Sequence, residues 1–367
     1  MERSDQAGGE GVGFFTLFRP GTLAIVDANA VLSSVDNDCR YSRRSRMLRS
    51  AALDTTRLFA ADHVLGEIYE KLPRIADASG LPVEELKSHF EAHYLPLIRF
   101  VTVEPTDPMP PAVAAITDPD DVPTGQLAHL LAPVLVLSED KHLRKPGFAP
   151  SDWRTTALHT SKVSDARAAG LGLTAAVALP SWGMVAGTRA AARRVGAPGW
   201  LVGAGIAGAA VIGGRLLPEG NRAALKETAR QVLKGLGEHL ATVGEALVEG
   251  EQGIAAASYT RDSPPTVIEK MAVALAHAER PLLAREVHEC IPFGDDNDQP
   301  ALTTVRSLLA TRTEFVEVTR SRGNLAAVSR PLAPTCQFRL RGAAAAGATR
   351  HPRWSWPVPV RRANARS

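Results

Sequence analysis

The sequence predicts an α/β protein whose N-terminal part is built on a parallel sheet. Short β-type runs alternate with helix-type patterns between residue 20 and residue 150. In addition, Asp27 directly follows the run Leu23–Val26, and Asp140 comes soon after Val134–Leu137. The carboxyl ends of parallel strands share one edge of an open sheet, and ligands bind at that edge. We therefore expect acidic side chains from distant parts of the chain to meet there.

The elements of this domain, residues 20–150, follow from local composition and spacing. Short apolar runs predict strands, and apolar residues three and four positions apart predict helices. The predicted strands are Leu23–Val26, Phe100–Val103 and Val134–Ser138, and the predicted helices are Arg49–Leu58, Val64–Ala76, Val83–Leu97 and Pro123–Leu131. A Pro- and Gly-containing break at residues 145–150 ends the domain, and we expect residues 151–167 to be a linker.

Residues 168–214 predict a helical hydrophobic hairpin. They contain two uncharged stretches, each about 20 residues long, which is the length that spans a bilayer. Small residues would let the two helices approach closely. The Arg-rich loop between them disagrees with a hairpin inserted from the cytosol, because positive loops prefer the cytosolic side. Association with the inner face of the cell membrane and a soluble buried hairpin both stay open.

Residues 222–250 predict an amphipathic helix, because apolar residues recur along one stripe. Such a stripe either packs on a neighbouring domain or joins two copies of the chain in a homo-oligomer.

Residues 264–330 predict three helices followed by the strands Phe315–Val318 and Leu325–Val328, which resembles a winged helix-turn-helix α+β domain. Arg306 on the third helix, and Arg320 and Arg322 in the hairpin, are its candidate nucleic-acid contacts. The segment has balanced charge, so a nucleic-acid partner and a protein partner both stay open. Residues 1–19 are predicted to be disordered, and so are residues 331–367, which form a basic tail.

Acidic residues are the strongest functional signal in the chain. Besides Asp27 and Asp140, these are Glu67 in a helical run and the cluster containing Asp118 and Asp121. Carboxylates without His or Cys form an oxygen site that suits Mg²⁺ or Mn²⁺, and such sites hydrolyse phosphodiesters. Without a cation the carboxylates should repel each other and be partly protonated. The alternative is that Asp27 and Asp140 cap helices and Glu67 is an ordinary surface residue.

Four strings in the N-terminal third carry a resemblance to a known family. They are AIVDANAVL, HVLGEIYEKL, DPDDVPTGQLAHLL and PVLVLSEDKHL, and they resemble, in order and spacing, the acidic motifs of PIN-domain nucleases. The resemblance implies a Rossmann-like sheet and a Mg²⁺- or Mn²⁺-dependent endoribonuclease acting on single-stranded RNA. The residues implied to hold the metal are Asp27, Glu67, Asp121 and Asp140, with Asp118 as an alternative to Asp121. Asn29 and Ser138 match polar positions of the motifs and are expected at the nucleic acid.

A run of arginines after the first motif is a candidate guide for RNA phosphates. Its members are Arg40, Arg43, Arg44 and Arg46, and the alternative is a solvated helix face. We expect a cytoplasmic protein, because its three cysteines are far apart and suggest a reducing compartment. Two further functions stay open: an inactive, membrane-linked adaptor and a winged-helix regulator that binds nucleic acid.

Overall fold

The N-terminal domain contains a parallel sheet, as the sequence predicts, and the sheet has four strands instead of the three predicted. The computed structural model describes residues 21–103, 108–178, 219–291, 300–312, 314–318 and 337–340. The strands are β1 (Thr22–Val26), β2 (Thr56–Ala61), β3 (Ile98–Val101) and β4 (Leu135–Leu137), and their order in the sheet is β3-β2-β1-β4. Every neighbouring pair is parallel, so all four carboxyl ends lie at one edge.

The strand order produces a topological switch point between β1 and β4. From β1 the chain steps outward to β2 and β3, and it then returns to β4 on the other side of β1. The backbone N–H of Asp27 donates to the carbonyl of Leu137 at 3.2 Å, which continues the pairing past the end of β1. The residues that follow β1 and β4 therefore lie side by side, at the position where open α/β sheets bind ligands.

Helices cover both faces of this sheet. They are α1 (Ala28–Tyr41), α2 (Arg46–Ala52), α3 (His63–Ser79), α4 (Val83–His89), α5 (Pro111–Ala114), α6 (Val122–Leu131) and α7 (Lys141–Arg144). A π-helical turn, Phe90–Tyr94, follows α4, and a 3₁₀ turn, Pro119–Asp121, precedes α6. In α1, Val31, Leu32 and Val35 are buried at helical spacing and pack into the core. This apolar stripe orients α1 so that its opposite side faces solvent.

The predicted helix Arg49–Leu58 is wrong in its second half. Helix α2 ends at Ala52, and Asp54 adopts a left-handed conformation with a φ of 54°, which turns the chain. Strand β2 then begins at Thr56, and all six of its residues are buried. A fully buried strand shows no alternation of polar and apolar residues, so its pattern merges with that of the preceding helix.

The predicted linker at residues 151–167 is also wrong, because a long helix, α8 (Trp153–Ala178), begins there. Helix α8 pairs in antiparallel orientation with α9 (Glu219–Ala257). The helices approach closely where α9 carries glycine: a Cβ on Gly250 would lie 2.7 Å from Val163, and one on Gly253 would lie 2.4 Å from the His159 ring. Ion pairs such as Lys162–Glu249, at 2.5 Å, lie along the same interface.

Helix α9 confirms the predicted amphipathic helix, and its described side chains show how the stripe is used. Leu247 is buried against Val163 and Ala166 of α8, and Val243 packs on this small core. Leu240, one turn further along the stripe, is 43% exposed. The last turns therefore pack on a neighbouring helix, whereas self-association stays a prediction.

The predicted hydrophobic hairpin, residues 168–214, lies mostly outside the described residues. Its first residues belong to α8, and residues 179–218 are not described. Within the described part of the chain, no helix is both long and apolar enough to cross a bilayer.

The C-terminal module contains three helices and a small antiparallel sheet. Its elements are α10 (Val267–His277), β5 (Leu282–Leu283), α11 (Ala284–Cys290), α12 (Leu302–Thr311), β6 (Phe315–Val318) and β7 (Gln337–Leu340), with the strand order β5-β7-β6. The three predicted helices and the first strand are confirmed. The predicted strand Leu325–Val328 lies outside the described residues, and β6 pairs with β7 instead. Strand β7 lies within residues 331–367, so the prediction of a disordered tail is wrong for Gln337–Leu340.

The C-terminal module shares its core with the N-terminal sheet domain. Tyr259 forms an antiparallel bridge with Val134, with N–H···O distances of 3.1 and 2.9 Å, and its ring lies 4.4 Å from that of Phe148. Arg57 of β2 and Arg99 of β3 both donate to the carbonyl of Ala276 at the end of α10, at 3.1 and 3.4 Å. The buried residues of the two parts form one continuous cluster, so the module does not pack as a separate unit.

Candidate functional site

Five acidic residues lie near one another at the carboxyl edge of the sheet. Asp27 follows β1, Asp140 follows β4, Glu67 lies in α3 directly after β2, and Asp118 and Asp121 flank the turn before α6. The carboxylates of Asp140, Asp27, Asp118 and Glu67 all act on Asp121 through space and raise its pKa. The topology therefore collects acids that are up to 113 residues apart in the sequence.

Asp27 lies deepest among these acids, with only 5% of its surface exposed. Burial raises the pKa of Asp27, and the negative charge of Glu67 raises it further. The Ser138 hydroxyl donates to Asp27 Oδ2 at 2.8 Å, and this hydrogen bond lowers the pKa. Asn29 also donates to Oδ2, at 3.5 Å. Ser138 is completely buried, and its contact with nucleic acid stays a prediction. Its hydrogen bond fixes the orientation of the Asp27 carboxylate.

Asp121 is the most perturbed acid of the cluster. Burial, together with the neighbouring carboxylates, raises its pKa to about 7. Its Oδ2 atom is buried and has no hydrogen-bond partner among the described residues. A buried carboxylate oxygen without a donor is unfavourable, because desolvation is not compensated. This oxygen is therefore suited to accept a cation or a proton.

Lys71 is a site residue that the sequence reasoning missed. Its Nζ donates to Glu67 in a short hydrogen bond and to Asn29 Oδ1 at 3.2 Å, and its charge lowers the pKa of Asp27. The spacing could have revealed it, because residues four apart on a helix are neighbours. In the described part of the chain, no three acidic, His or Cys side chains lie close enough together to hold one ion. The acids therefore share one edge of the sheet without forming a compact ligand set.

Asp140 also has a structural role at the edge. Its Oδ1 accepts the backbone N–H of His142 at 2.7 Å and thereby caps α7, as the alternative interpretation of the sequence expects. Its own N–H donates to Ser138 Oγ at 2.9 Å. Ser138 thus connects the chain after β4 to Asp27, and the two sides of the switch point are held in register.

A cleft of about 590 Å³ opens beside the acids. Asn29, Asp118 and Asp140 contribute to its wall, and Lys141, His142 and Arg144 of α7 supply cationic or ionisable groups. Lys141 and Arg144 are exposed. The cleft therefore combines carboxylates that suit a divalent cation with basic side chains that suit phosphates.

The arginine run lies at the other end of α1 from Asp27. Arg40 pairs with Asp36 at 2.9 Å, whereas Arg43, Arg44 and Arg46 line a second cleft of about 230 Å³. Helix α1 has 14 residues, which places about 20 Å between its ends. The run therefore does not border the acids directly. Arg306 is exposed on α12.

The predicted contacts Arg320 and Arg322 lie outside the described residues.

The fold and the acidic edge define an α/β domain with a carboxylate site at its switch point. Residues 25–162 match the model of the PIN domain family. That family is generally a metal-dependent nuclease fold, and the matched range contains all five acids. No curated protein and no solved structure matches the chain. The winged-helix assignment of residues 264–330 stays a prediction.

Proposed function

We propose that the N-terminal domain is an endoribonuclease that hydrolyses single-stranded RNA with the help of Mg²⁺ or Mn²⁺. The observation that carries the proposal is Asp121 Oδ2, which is buried and lacks a donor among the described residues, while the charges of four further carboxylates act on Asp121. Such an arrangement costs stability unless a positive charge compensates it. The oxygen-only ligand set favours Mg²⁺ or Mn²⁺ over softer metals.

The residues that would hold the cation are Asp27, Glu67, Asp121 and Asp140, with Asp118 as the alternative to Asp121. When bound, the cation would neutralise negative charge on the phosphodiester and would lower the pKa of a bound water molecule. The chain does the rest by positioning: Ser138 holds the Asp27 carboxylate in one orientation through a buried hydrogen bond.

Basic side chains at the cleft would bind the negatively charged backbone of the substrate. Lys141 and Arg144 at the cleft are placed to contact backbone phosphates next to the acids. Asn29, whose amide is half-buried between Asp27 and Lys71, faces the same cleft. The choice of single-stranded RNA over other nucleic acids rests on the resemblance of the four motifs.

The decisive experiment compares Asp27→Asn with Asp120→Asn in the full-length protein. Asp120 is exposed and is not among the acids that perturb Asp121, so it provides a charge-matched control. We expect Mn²⁺-dependent cleavage of an end-labelled single-stranded RNA by the wild type and by Asp120→Asn, and a loss of at least about 100-fold in Asp27→Asn. Thermal unfolding shows whether each variant is folded. If all three proteins leave the RNA intact, the proposal is wrong.

An inactive adaptor is the second candidate, and Lys71 is the observation that favours it. Its ammonium already neutralises Glu67 and contacts Asn29, which reduces the need for a cation. In this case the wild type and Asp27→Asn would bind RNA or a protein partner alike and cut neither RNA nor DNA. The winged-helix regulator, in which residues 264–330 bind nucleic acid, would instead be favoured by duplex binding that depends on Arg306.

We also propose a cytoplasmic location, with residues 168–214 holding the protein at the inner face of the membrane. The support is the absence of charge in two stretches of this segment. Membrane fractionation of the full chain and of a chain lacking residues 179–214 tests the proposal. Equal recovery of both forms in the supernatant would contradict it.

A further inference from the structure

The cleft of about 590 Å³ beside the acids is called the acidic cleft here, and the cleft of about 230 Å³ at the far end of α1 is called the basic cleft. The basic cleft has no role in the proposed function. Arg43 and Arg46 line it, are exposed, and form no hydrogen bond or ion pair with another described residue. Tyr41, in the same lining, is 63% exposed, which is unusual for an aromatic ring. Unpaired guanidinium groups next to an exposed ring match the chemistry of a phosphate followed by a base.

The acidic cleft and the basic cleft lie along the same helix, α1. Ser33 and Asp36 line the acidic cleft, and their neighbours Ser34 and Asn37 line the basic one. Arg154 of α8 connects the two: it lines the basic cleft, donates to Ser33 Oγ at 3.2 Å, and pairs with Glu139 of the acidic cleft. The two clefts are therefore linked by one side chain, Arg154, and a ligand that contacts both would lie along α1.

The length of α1 and the charges at its two ends indicate which ligand could contact both clefts. Helix α1 has 14 residues, so its ends lie about 20 Å apart, which corresponds to about six nucleotides at the 3.4 Å rise of a stacked strand. A strand in extended conformation would need fewer. The far end of α1 carries positive charge and an aromatic ring, and the near end carries the proposed reaction site. A single polyanionic strand with exposed bases satisfies both ends at once.

We propose that the basic cleft is an anchor subsite for single-stranded RNA, located about six nucleotides or fewer from the bond that is cut. The inference rests on the proposed function for the identity of the near end. Arg43 and Arg46 bind backbone phosphates, and Tyr41 stacks on a base. Consequently, the protein requires RNA long enough to reach both ends, and an RNA confined to the acidic cleft binds weakly.

Binding can be measured apart from cutting. Fluorescence anisotropy with oligoribonucleotides of 4, 6, 8, 10 and 12 nucleotides in EDTA gives the length dependence without hydrolysis. We expect wild-type affinity to rise at least tenfold between 4 and 10 nucleotides. The double variant Arg43→Ala, Arg46→Ala should bind 10 nucleotides about as weakly as 4, and the slope of log K against log salt should become shallower by about 1.4, because each phosphate contact contributes about 0.7 in single strands.

Two further variants make the test specific. Tyr41→Ala should weaken the 10-nucleotide complex at least about fivefold, the lower end for loss of one stacked base. Arg285→Ala removes an exposed arginine of α11 that pairs with Glu289, and it should leave both the affinity and the salt slope unchanged. If the double variant and wild type show the same length dependence and salt slope, the anchor does not exist.

The outcome separates this inference from the proposed nuclease activity. Cleavage by the wild type that is independent of RNA length and of Arg43 and Arg46 overturns the anchor and leaves the nuclease proposal standing. Binding that depends on length and on these arginines, without any cleavage in Mn²⁺, supports the anchor and overturns the nuclease proposal. With both correct, the double variant should raise KM while kcat stays unchanged.

Discussion

Replacing Asp121 by Asn should stabilise the metal-free protein at neutral and alkaline pH. The pKa of Asp121 lies at about 7, against an ordinary value of 3.8. Between these values the folded protein binds a proton that the unfolded chain releases, so stability falls as the pH rises from about 4 to about 7. Above pH 7 the destabilisation is complete. An amide carries no charge, so Asp121→Asn avoids this loss.

The size of the effect follows from the rise in pKa. About three pH units at 1.36 kcal/mol each give about 4 kcal/mol. Because Asp121 is only partly buried, solvent screening reduces this figure, and we expect about 2 kcal/mol. For a chain of 367 residues, this free energy corresponds to an increase in Tm of about 3 °C.

Thermal unfolding followed by circular dichroism in EDTA, at pH 5, 6, 7 and 8, measures this difference. The gain of Asp121→Asn over wild type should grow across the series, whereas Asp120→Asn should stay close to wild type throughout. Addition of Mn²⁺ at pH 8 should reverse the order, because the wild type gains binding energy that the variant lacks. A difference that is constant with pH, or a lower Tm for Asp121→Asn at pH 8, would refute the idea that the clustered acids repel each other.

Two other substitutions test neighbouring features. Lys71→Met removes the positive charge next to Glu67, so Mn²⁺ should bind about tenfold more tightly, which equals about 1.4 kcal/mol of binding free energy. Calorimetry measures this affinity. An unchanged affinity would mean that Lys71 does not compete with the cation. Gly253→Ala places a Cβ 2.4 Å from the His159 ring and should lower stability to urea by about 1 to 3 kcal/mol. Gly244→Ala, with open space around it, should raise stability by up to about 1 kcal/mol, and equal effects of both substitutions would contradict the close packing of α8 on α9.

The strands that flank the switch point could be predicted, because their ends are marked in the sequence. β1 and β4 are apolar runs ended by polar residues, so their positions and their shared edge were correct. β2 was missed because Leu58 and Phe59 continue an apolar pattern from α2, and only the left-handed turn at Asp54 separates the two elements. α1 was not predicted, although Val31 and Val35 have helical spacing, because the apolar pattern continues from β1 without a Pro or Gly to mark the boundary.

The neighbourhood of the acids followed from topology, but its details depend on packing. The sequence showed that Asp27 and Asp140 come after strands, and the sheet order brings them together. It could not show that Ser138 would be fully buried, since a polar residue at a strand end is equally suited to an exposed position. Neither could it place the arginine run, because the distance from Asp27 depends on the length and direction of α1.

The carbonyl of Ala276 determines where this chain can be divided for biochemical work. A fragment that stops at residue 162, the end of the family match, would remove the acceptor that Arg57 and Arg99 share and leave the buried Arg57 guanidinium facing solvent. It would also uncover Phe148 by removing Tyr259. We expect such a truncated domain to aggregate, and a soluble preparation should extend beyond His277, with α9 retained as part of the same folding unit.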